Sequence, residues 1–171
     1  LVVAADVDPL LTSIKVKRVS GESRLIRPDG KGLRELKEGM ELKVWDRIVS
    51  GEKSEVELLL SSEQTLTLGS MGCLQVFGGE GLDVYARLYR GKLRVDNSRD
   101  SAFKVETLNA IVNVPSGKTD LIISAMNTLV APREGKGVPV RTQRAYRKVP
   151  VGVYGLAMAD GSLLFSGGKG P

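Results

Sequence analysis

Apolar and polar residues alternate with a period of two along most of this chain. Ile14 and Val16 are interleaved with Lys15 and Lys17, and Val56, Leu58 and Leu60 with Glu55, Glu57 and Leu59. Gln64-Thr65-Leu66-Thr67-Leu68 alternates cleanly, as do Leu82-Asp83-Val84-Tyr85-Ala86-Arg87-Leu88 and Phe103-Lys104-Val105-Glu106-Thr107. Successive side chains of an extended strand point to opposite faces, so this pattern predicts strands with one face on a core and the other in water.

Turn residues punctuate these runs: Pro28-Asp29-Gly30, Glu38-Gly39, Ser50-Gly51, Gly69, Gly78-Gly79, Arg90-Gly91, Pro115-Ser116-Gly117, Glu134-Gly135 and Asp160-Gly161. Their spacing is roughly the 8–12 residues expected of sandwiches, barrels and solenoids. The chain holds 20 glycines, in keeping with many tight turns that need positive φ. Helical periodicity is not sustained anywhere. The best stretch, residues 31–40, could align Leu33, Leu36 and Met40, but Gly32 and Gly39 flank it and it is too short to stand alone. It is read as a turn or a single helical turn. The expectation is an all-β fold of about a dozen short strands, either a β-solenoid-like stack or a two-sheet sandwich. The repeated strand, glycine, strand units favour stacking. Residues 1–165 are expected to form one domain, followed by a flexible tail, residues 166–171, that has no apolar anchor.

Length permits a core without staples, because a chain of 171 residues buries roughly 70% of its unfolded surface. The single Cys73 cannot form an internal disulfide, and its apolar setting, Met71-Gly72-Cys73-Leu74-Gln75-Val76, reads as that of a core filler with no adjacent cation. The chain has no histidine, which removes Ser-His and Cys-His dyads, neutral-pH proton shuttles and histidine-containing zinc sites. No motif calls for a cofactor or a metal. Asp96-Asn97-Ser98-Arg99-Asp100 has oxygen ligands at short spacing, but Arg99 sits within the would-be cage, so a polar loop is the reading. Asp6 and Asp8 are too few for a site. Gly117-Lys118-Thr119 lacks the first glycine of a phosphate loop, since Val112 occupies that position, and reads as a hairpin turn. Ser70 in Gly69-Ser70-Met71-Gly72 has no histidine partner and reads as a turn residue.

Aromatic residues are scarce, with one Trp, three Phe and four Tyr. Trp45 is therefore expected in the core, and stacking platforms for sugars or bases are not expected, which argues against nucleic acid as a partner. The net charge of +5, from 25 basic and 20 acidic residues, suits contact with anionic surfaces. The densest basic cluster is Arg141, Arg144, Arg147 and Lys148, with Tyr146 among them. Two readings stay open: a contact for a protein partner or an anionic polymer, and a solvated edge strand defended by charge. If extended, Arg141 and Arg147 share one face and Arg144 and Lys148 the other; if helical, Arg141, Arg144 and Lys148 converge. No apolar run approaches the ~20 residues that span a bilayer. Leu1-Val2-Val3-Ala4-Ala5 reads either as the end of a cleaved export signal or as a frayed first strand.

A spaced set of motifs carries a family resemblance. Leu36-Lys37-Glu38-Gly39-Met40-Glu41-Leu42 precedes Trp45-Asp46-Arg47-Ile48-Val49-Ser50-Gly51, which leads into the alternating runs to Leu68. Leu88-Tyr89-Arg90-Gly91-Lys92-Leu93-Arg94-Val95 is a strand, glycine, strand unit. Phe103-Lys104-Val105-Glu106-Thr107 leads to Ala110 and Val114, and Thr128-Leu129-Val130 is followed by Glu134-Gly135-Lys136-Gly137-Val138-Pro139-Val140. Residues 19–140 resemble the FecR domain in the order and spacing of these elements. The family's usual R-G-T-x-F-x-V segment is replaced by Pro115-Ser116-Gly117-Lys118-Thr119-Asp120-Leu121-Ile122-Ile123, so the role of that arginine does not carry over. The resemblance implies an extracytoplasmic all-β module of a bacterial envelope or periplasm. The best-known members are inner-membrane regulators that couple an outer-membrane receptor to a sigma factor, through a membrane span and a cytoplasmic helical segment that are not visible in this sequence. The expectation is a non-enzymatic protein-binding or scaffolding module, with another envelope protein or a second copy as partner. The alternative is the periplasmic sensor domain of a sigma-factor regulator in transmembrane signalling. A third reading, an enzyme or binder acting on anionic glycans, finds no carboxylate pair placed by a motif.

Overall fold

The computed structural model describes residues 14–29, 31–61, 63–79 and 82–166. Every regular element among them is a strand: β1 (Ile14–Ser20), β2 (Ser23–Ile26), β3 (Leu33–Glu35), β4 (Glu41–Leu42), β5 (Arg47–Ser50), β6 (Glu55–Ser61), β7 (Gln64–Leu68), β8 (Cys73–Gly79), β9 (Leu82–Asn97), β10 (Phe103–Glu106), β11 (Ile111–Val114), β12 (Gly117–Ser124), β13 (Asn127–Gly135), β14 (Val138–Arg141), β15 (Tyr146–Val149), β16 (Tyr154–Ala157) and β17 (Leu163–Ser166). The all-β expectation is borne out, with 17 strands rather than a dozen. The surplus comes largely from pieces such as β3 and β4, which are too short to show a period.

Hydrogen bonding arranges the strands in two ladders that share β9, and the network does not close into a barrel. The first ladder runs β4-β1-β6-β7-β9-β12-β13-β16-β17. The second runs β3-β2-β5-β8-β9-β10-β11-β14-β15. All pairs are antiparallel except β9 with β10. From β6 onward the hairpins fall now in one ladder, now in the other, so the chain builds both as it advances.

β9 belongs to the second ladder through residues 82–90 and to the first through residues 91–97. The handover falls at Gly91, where φ is +89° and an added Cβ would sit 2.7 Å from the Gly72 Cα. Only glycine combines that conformation with that approach. The strand consequently feeds the core from both ladders, Leu88 from one segment and Leu93 from the other. Val16, Leu58, Leu66, Leu121 and Val130 of the first ladder are buried in the same core as Leu25, Ile48, Leu74, Val105, Val112 and Val140 of the second. Each fully buried aliphatic side chain stabilises the fold by roughly 1.5–3 kcal/mol relative to exposure.

Three sequence readings change here. Residues 31–40 form no helical turn: β3 pairs with β2, Leu36 enters the core, and the 38–39 turn is fixed by the Gly39 amide donating to the Val16 carbonyl (2.8 Å). Gly117-Lys118-Thr119 opens β12, with the turn lying before it. Gly117 faces Gly135, and a Cβ on either would run into the carbonyl of Glu134 or Ser116. The 96–100 segment is not simply a solvated loop, because Asn97 is buried and organises it. Asn97 Nδ2 donates to the carbonyls of Ser101 (2.9 Å) and Val114 (3.1 Å), while its Oδ1 accepts from Gln64 Nε2 (3.1 Å) and the Arg99 amide (3.1 Å).

On the outer side of the first ladder, Asp120 is 1% exposed. Arg94 Nε donates to its Oδ1 (2.8 Å), Arg133 Nε to its Oδ2 (3.1 Å), and Lys92 Nζ stands 3.7 Å away. Burial pushes the Asp120 carboxyl up, but the two guanidinium hydrogen bonds hold it below the usual carboxylate range. The readings of Leu1 to Ala5, of Asp6 and Asp8, and of the tail beyond Ser166 lie outside the described residues. No helix among the described residues is long and apolar enough to cross a membrane.

Candidate functional site

The outer face of the second ladder gathers much of the chain's aromatic and guanidinium chemistry. Its geometry follows from alternation: in β8, Leu74 and Val76 point into the core, so Cys73, Gln75 and Phe77 point out. In β9, Ala86 and Leu88 point in and leave Tyr85, Arg87 and Tyr89 outside. Register sets Phe77 opposite Tyr85 and Gln75 opposite Arg87, with Arg47 of β5 on the other side of Gln75. Lys104 and Glu106 of β10 continue the face, Glu106 directly beside Arg87.

Trp45 closes this surface, contrary to the expectation that it packs in the core. It is 51% exposed and occupies the left-handed region at φ +76°, which for a bulky side chain costs of order 1–3 kcal/mol. Its surroundings fix that conformation. The Trp45 amide donates to the Val76 carbonyl (2.7 Å), and the Val76 amide donates to the Asp46 carbonyl (3.1 Å). The buried Asp46 carboxylate accepts from the Lys43 amide (2.8 Å), and Gln75 Nε2 donates to the Trp45 carbonyl (3.0 Å).

The rings and cations interlock. Trp45 meets Phe77 edge to face (5.0 Å, 70°), and Phe77 stacks on Tyr85 (5.2 Å, 14°). The guanidinium of Arg87 lies 4.6 Å over Phe77, Lys104 4.0 Å over Tyr85, and Arg47 4.7 Å over Tyr89. Gln75 Oε1 accepts from the Tyr89 hydroxyl (2.7 Å) and from Arg47 Nη2 (3.2 Å). Phe77 is covered by these neighbours, whereas Trp45, Tyr89 and Met71 stay open to solvent. Arg87 Nη2 bonds Glu106 at 2.7 Å, and although burial pushes the Glu106 carboxyl up, Arg87 and Lys104 hold it low. Arg47 has no carboxylate partner among the described residues. With Arg47, Arg87, Arg90 and Lys104 against Glu106, the face is cationic.

Cys73 lies on this same face rather than in the core. It is half-buried, and burial pushes its thiol up even though Arg47 and Arg90 pull it down.

The sequence-predicted basic cluster is placed elsewhere and is not one patch. A hairpin carries it: Thr142 Oγ1 accepts from the Ala145 amide (3.0 Å) and the Arg144 amide (3.3 Å), so the chain reverses between β14 and β15. Arg141 and Lys148 lie on the outer side, since their neighbours Val140 and Val149 point into the core. Arg147 lies opposite Val140 and projects to the inner side of the edge strand, and Arg144 is on the turn. All four are exposed.

Composition hid the aromatic face, because scarcity of aromatics was read as a demand of the core. The usable signal was local: Phe77, Tyr85 and Tyr89 fall on the polar phase of their alternations.

No family model matches the chain, and no curated protein matches it. Two crystal structures, at 1.65 Å and 2.50 Å resolution, of a protein described as a candidate anti-sigma factor from Parabacteroides distasonis ATCC 8503 share its fold. Their TM-scores are 0.58 and 0.57, each at 16% identity. The likeness covers 70% of this chain and 58% of each of those chains.

Proposed function

We propose that this domain is the partner-binding module of a bacterial regulatory protein of FecR type, working outside the cytoplasm without catalysis of its own. Its partner is a protein with an acidic surface, engaged by the face that Trp45, Tyr89, Arg47 and Arg90 present. Trp45 carries this reading: a large apolar side chain is held half exposed, in a conformation it disfavours, by hydrogen bonds on both sides. Strain of that kind persists where the surroundings over-determine it and points to use. Trp, Tyr and Arg are the residue types that dominate binding energy at protein interfaces. The cationic balance favours an acidic partner and speeds encounter with it. The fold likeness to a candidate anti-sigma factor supports a regulatory role over a purely scaffolding one.

A photo-crosslinking scan in intact cells tests this. A photoreactive residue at Trp45, Met71 or Tyr89 is expected to give one discrete crosslinked protein with an acidic surface, and one at Lys15 or Thr67 on the outer face of the first ladder is expected to give none. Crosslinking from the first ladder alone would overturn the assignment of the face.

A further inference from the structure

Four hairpin turns meet at one end of the fold. They are the β10–β11 turn with Leu108 and Asn109, the β12–β13 turn with Met126, the β14–β15 turn with Gln143, and the β16–β17 turn with Ala159 and Gly161. Side chains tie them together. Asn109 Nδ2 donates to the carbonyls of Met126 (2.9 Å) and Ala157 (2.8 Å), its Oδ1 accepts from Thr128 Oγ1 (2.7 Å), and Thr142 Oγ1 donates to the Gly161 carbonyl. Between the turns lies a depression of about 410 Å³ whose lining includes Leu108, Ile111, Arg141 and Gln143. Its walls are therefore fixed before any ligand arrives.

The lining has a definite chemical character. Leu108 is 76% exposed and Ile111 is also open to solvent, an apolar pair without an intramolecular partner to account for its exposure. No carboxylate lines the depression. Arg141 is its one cation. The Arg141 guanidinium rests on the Tyr146 ring, 5.1 Å from the centroid, and has no carboxylate partner among the described residues. A guanidinium oriented by an aromatic ring loses less freedom on binding and matches a carboxylate with two parallel donors. Ile111 and Arg141 are register partners within the ladder, so their backbones offer no free edge to an extended peptide. The volume falls in the range of small-molecule sites, roughly 300–1,000 Å³.

From these features we infer that the depression binds a small amphipathic monocarboxylate, its apolar body against Leu108 and Ile111 and its carboxylate on Arg141. The site is separate from the aromatic face and does not depend on it. It makes the domain a receptor for a small acid as well as for a protein.

Titration of the isotope-labelled protein, followed by amide chemical shifts, tests the inference with hexanoate, its neutral isostere hexanamide, and a capped peptide carrying an internal Leu-Glu pair. Hexanoate is expected to shift the amides of Asn109, Ile111, Gln143 and Gly161 saturably, with hexanamide at least about tenfold weaker, the loss that follows from removing a charge-assisted contact. Arg141→Gln should weaken hexanoate by a similar factor, and Leu108→Ser should weaken it too. Arg144→Gln, which removes a charge outside the lining, should not. Both lining residues are exposed, so unchanged melting temperatures will separate lost binding from lost folding. Equal binding of hexanamide, an unaltered affinity in Arg141→Gln, or shifts confined to the peptide titration would overturn the inference.

Discussion

Replacing Asp120 with Asn removes one charge and almost no volume, so its effect isolates the ion network on the first ladder. The carboxylate is 1% exposed and accepts from Arg94 and Arg133, with Lys92 at 3.7 Å. An asparagine offers one acceptor oxygen where the carboxylate offers two, and its amide would face a guanidinium N–H. Hydrogen bonds to charged groups contribute about 1.5–3 kcal/mol each, against about 0.5–1.5 for neutral ones. Because the arginines are about half exposed and rehydrate when released, the loss is discounted to about 2 kcal/mol overall. For a chain of this size each kcal/mol moves the melting temperature by about 2–4 °C, so Asp120→Asn should melt about 4–8 °C lower at pH 7. The pH dependence has a fixed sign. The native carboxyl titrates below its unfolded value of about 3.9, so the unfolded chain takes up the proton first as pH falls. The stabilisation is complete above the unfolded value and is lost as pH drops through the native one. Calorimetry of both proteins from pH 7 to pH 2.5 should show the gap narrowing below about pH 4. A gap under about 2 °C at pH 7, or one that widens in acid, would refute the reasoning.

Asn97→Ala should cost about 2–4 kcal/mol in urea unfolding, because it leaves the Gln64 amide and the Val114 carbonyl buried without their partners. Gly117→Ala should destabilise by more than about 1 kcal/mol, since φ is +136° and the Glu134 carbonyl blocks the methyl group; an unchanged urea midpoint would contradict that geometry. At pH 7.5 iodoacetamide should modify Cys73 more slowly in the native protein than in the urea-unfolded chain. Arg47→Gln should slow it further by removing a charge that favours the thiolate.

Alternation made β1, β6, β7 and β10 legible, because each sits with one face on the core, and the buried positions of β7 are Gln64, Leu66 and Leu68 as the period requires. It could not reveal that β9 crosses between ladders. Gly91 reads as a turn between two strands, and only the contact with Gly72 shows that the chain runs straight through. The β14–β15 reversal was equally hidden. Thr142-Gln143-Arg144-Ala145 contains no Gly, Pro, Asn or Asp, and its turn depends on one threonine hydroxyl. That turn splits the basic cluster between faces and leaves Arg141 beside the depression. Trp45 was misplaced for a related reason: a count of aromatics says nothing about which phase of the period they occupy.

The most direct test is the affinity of the purified domain for the protein that crosslinks through Trp45 and Tyr89, measured for wild type, Trp45→Ala and Lys15→Ser. Loss of a central aromatic anchor typically costs 2 kcal/mol or more, so Trp45→Ala should bind at least about 30-fold more weakly, with Lys15→Ser unchanged. Wild-type affinity in Trp45→Ala, with its fold intact, would contradict the account.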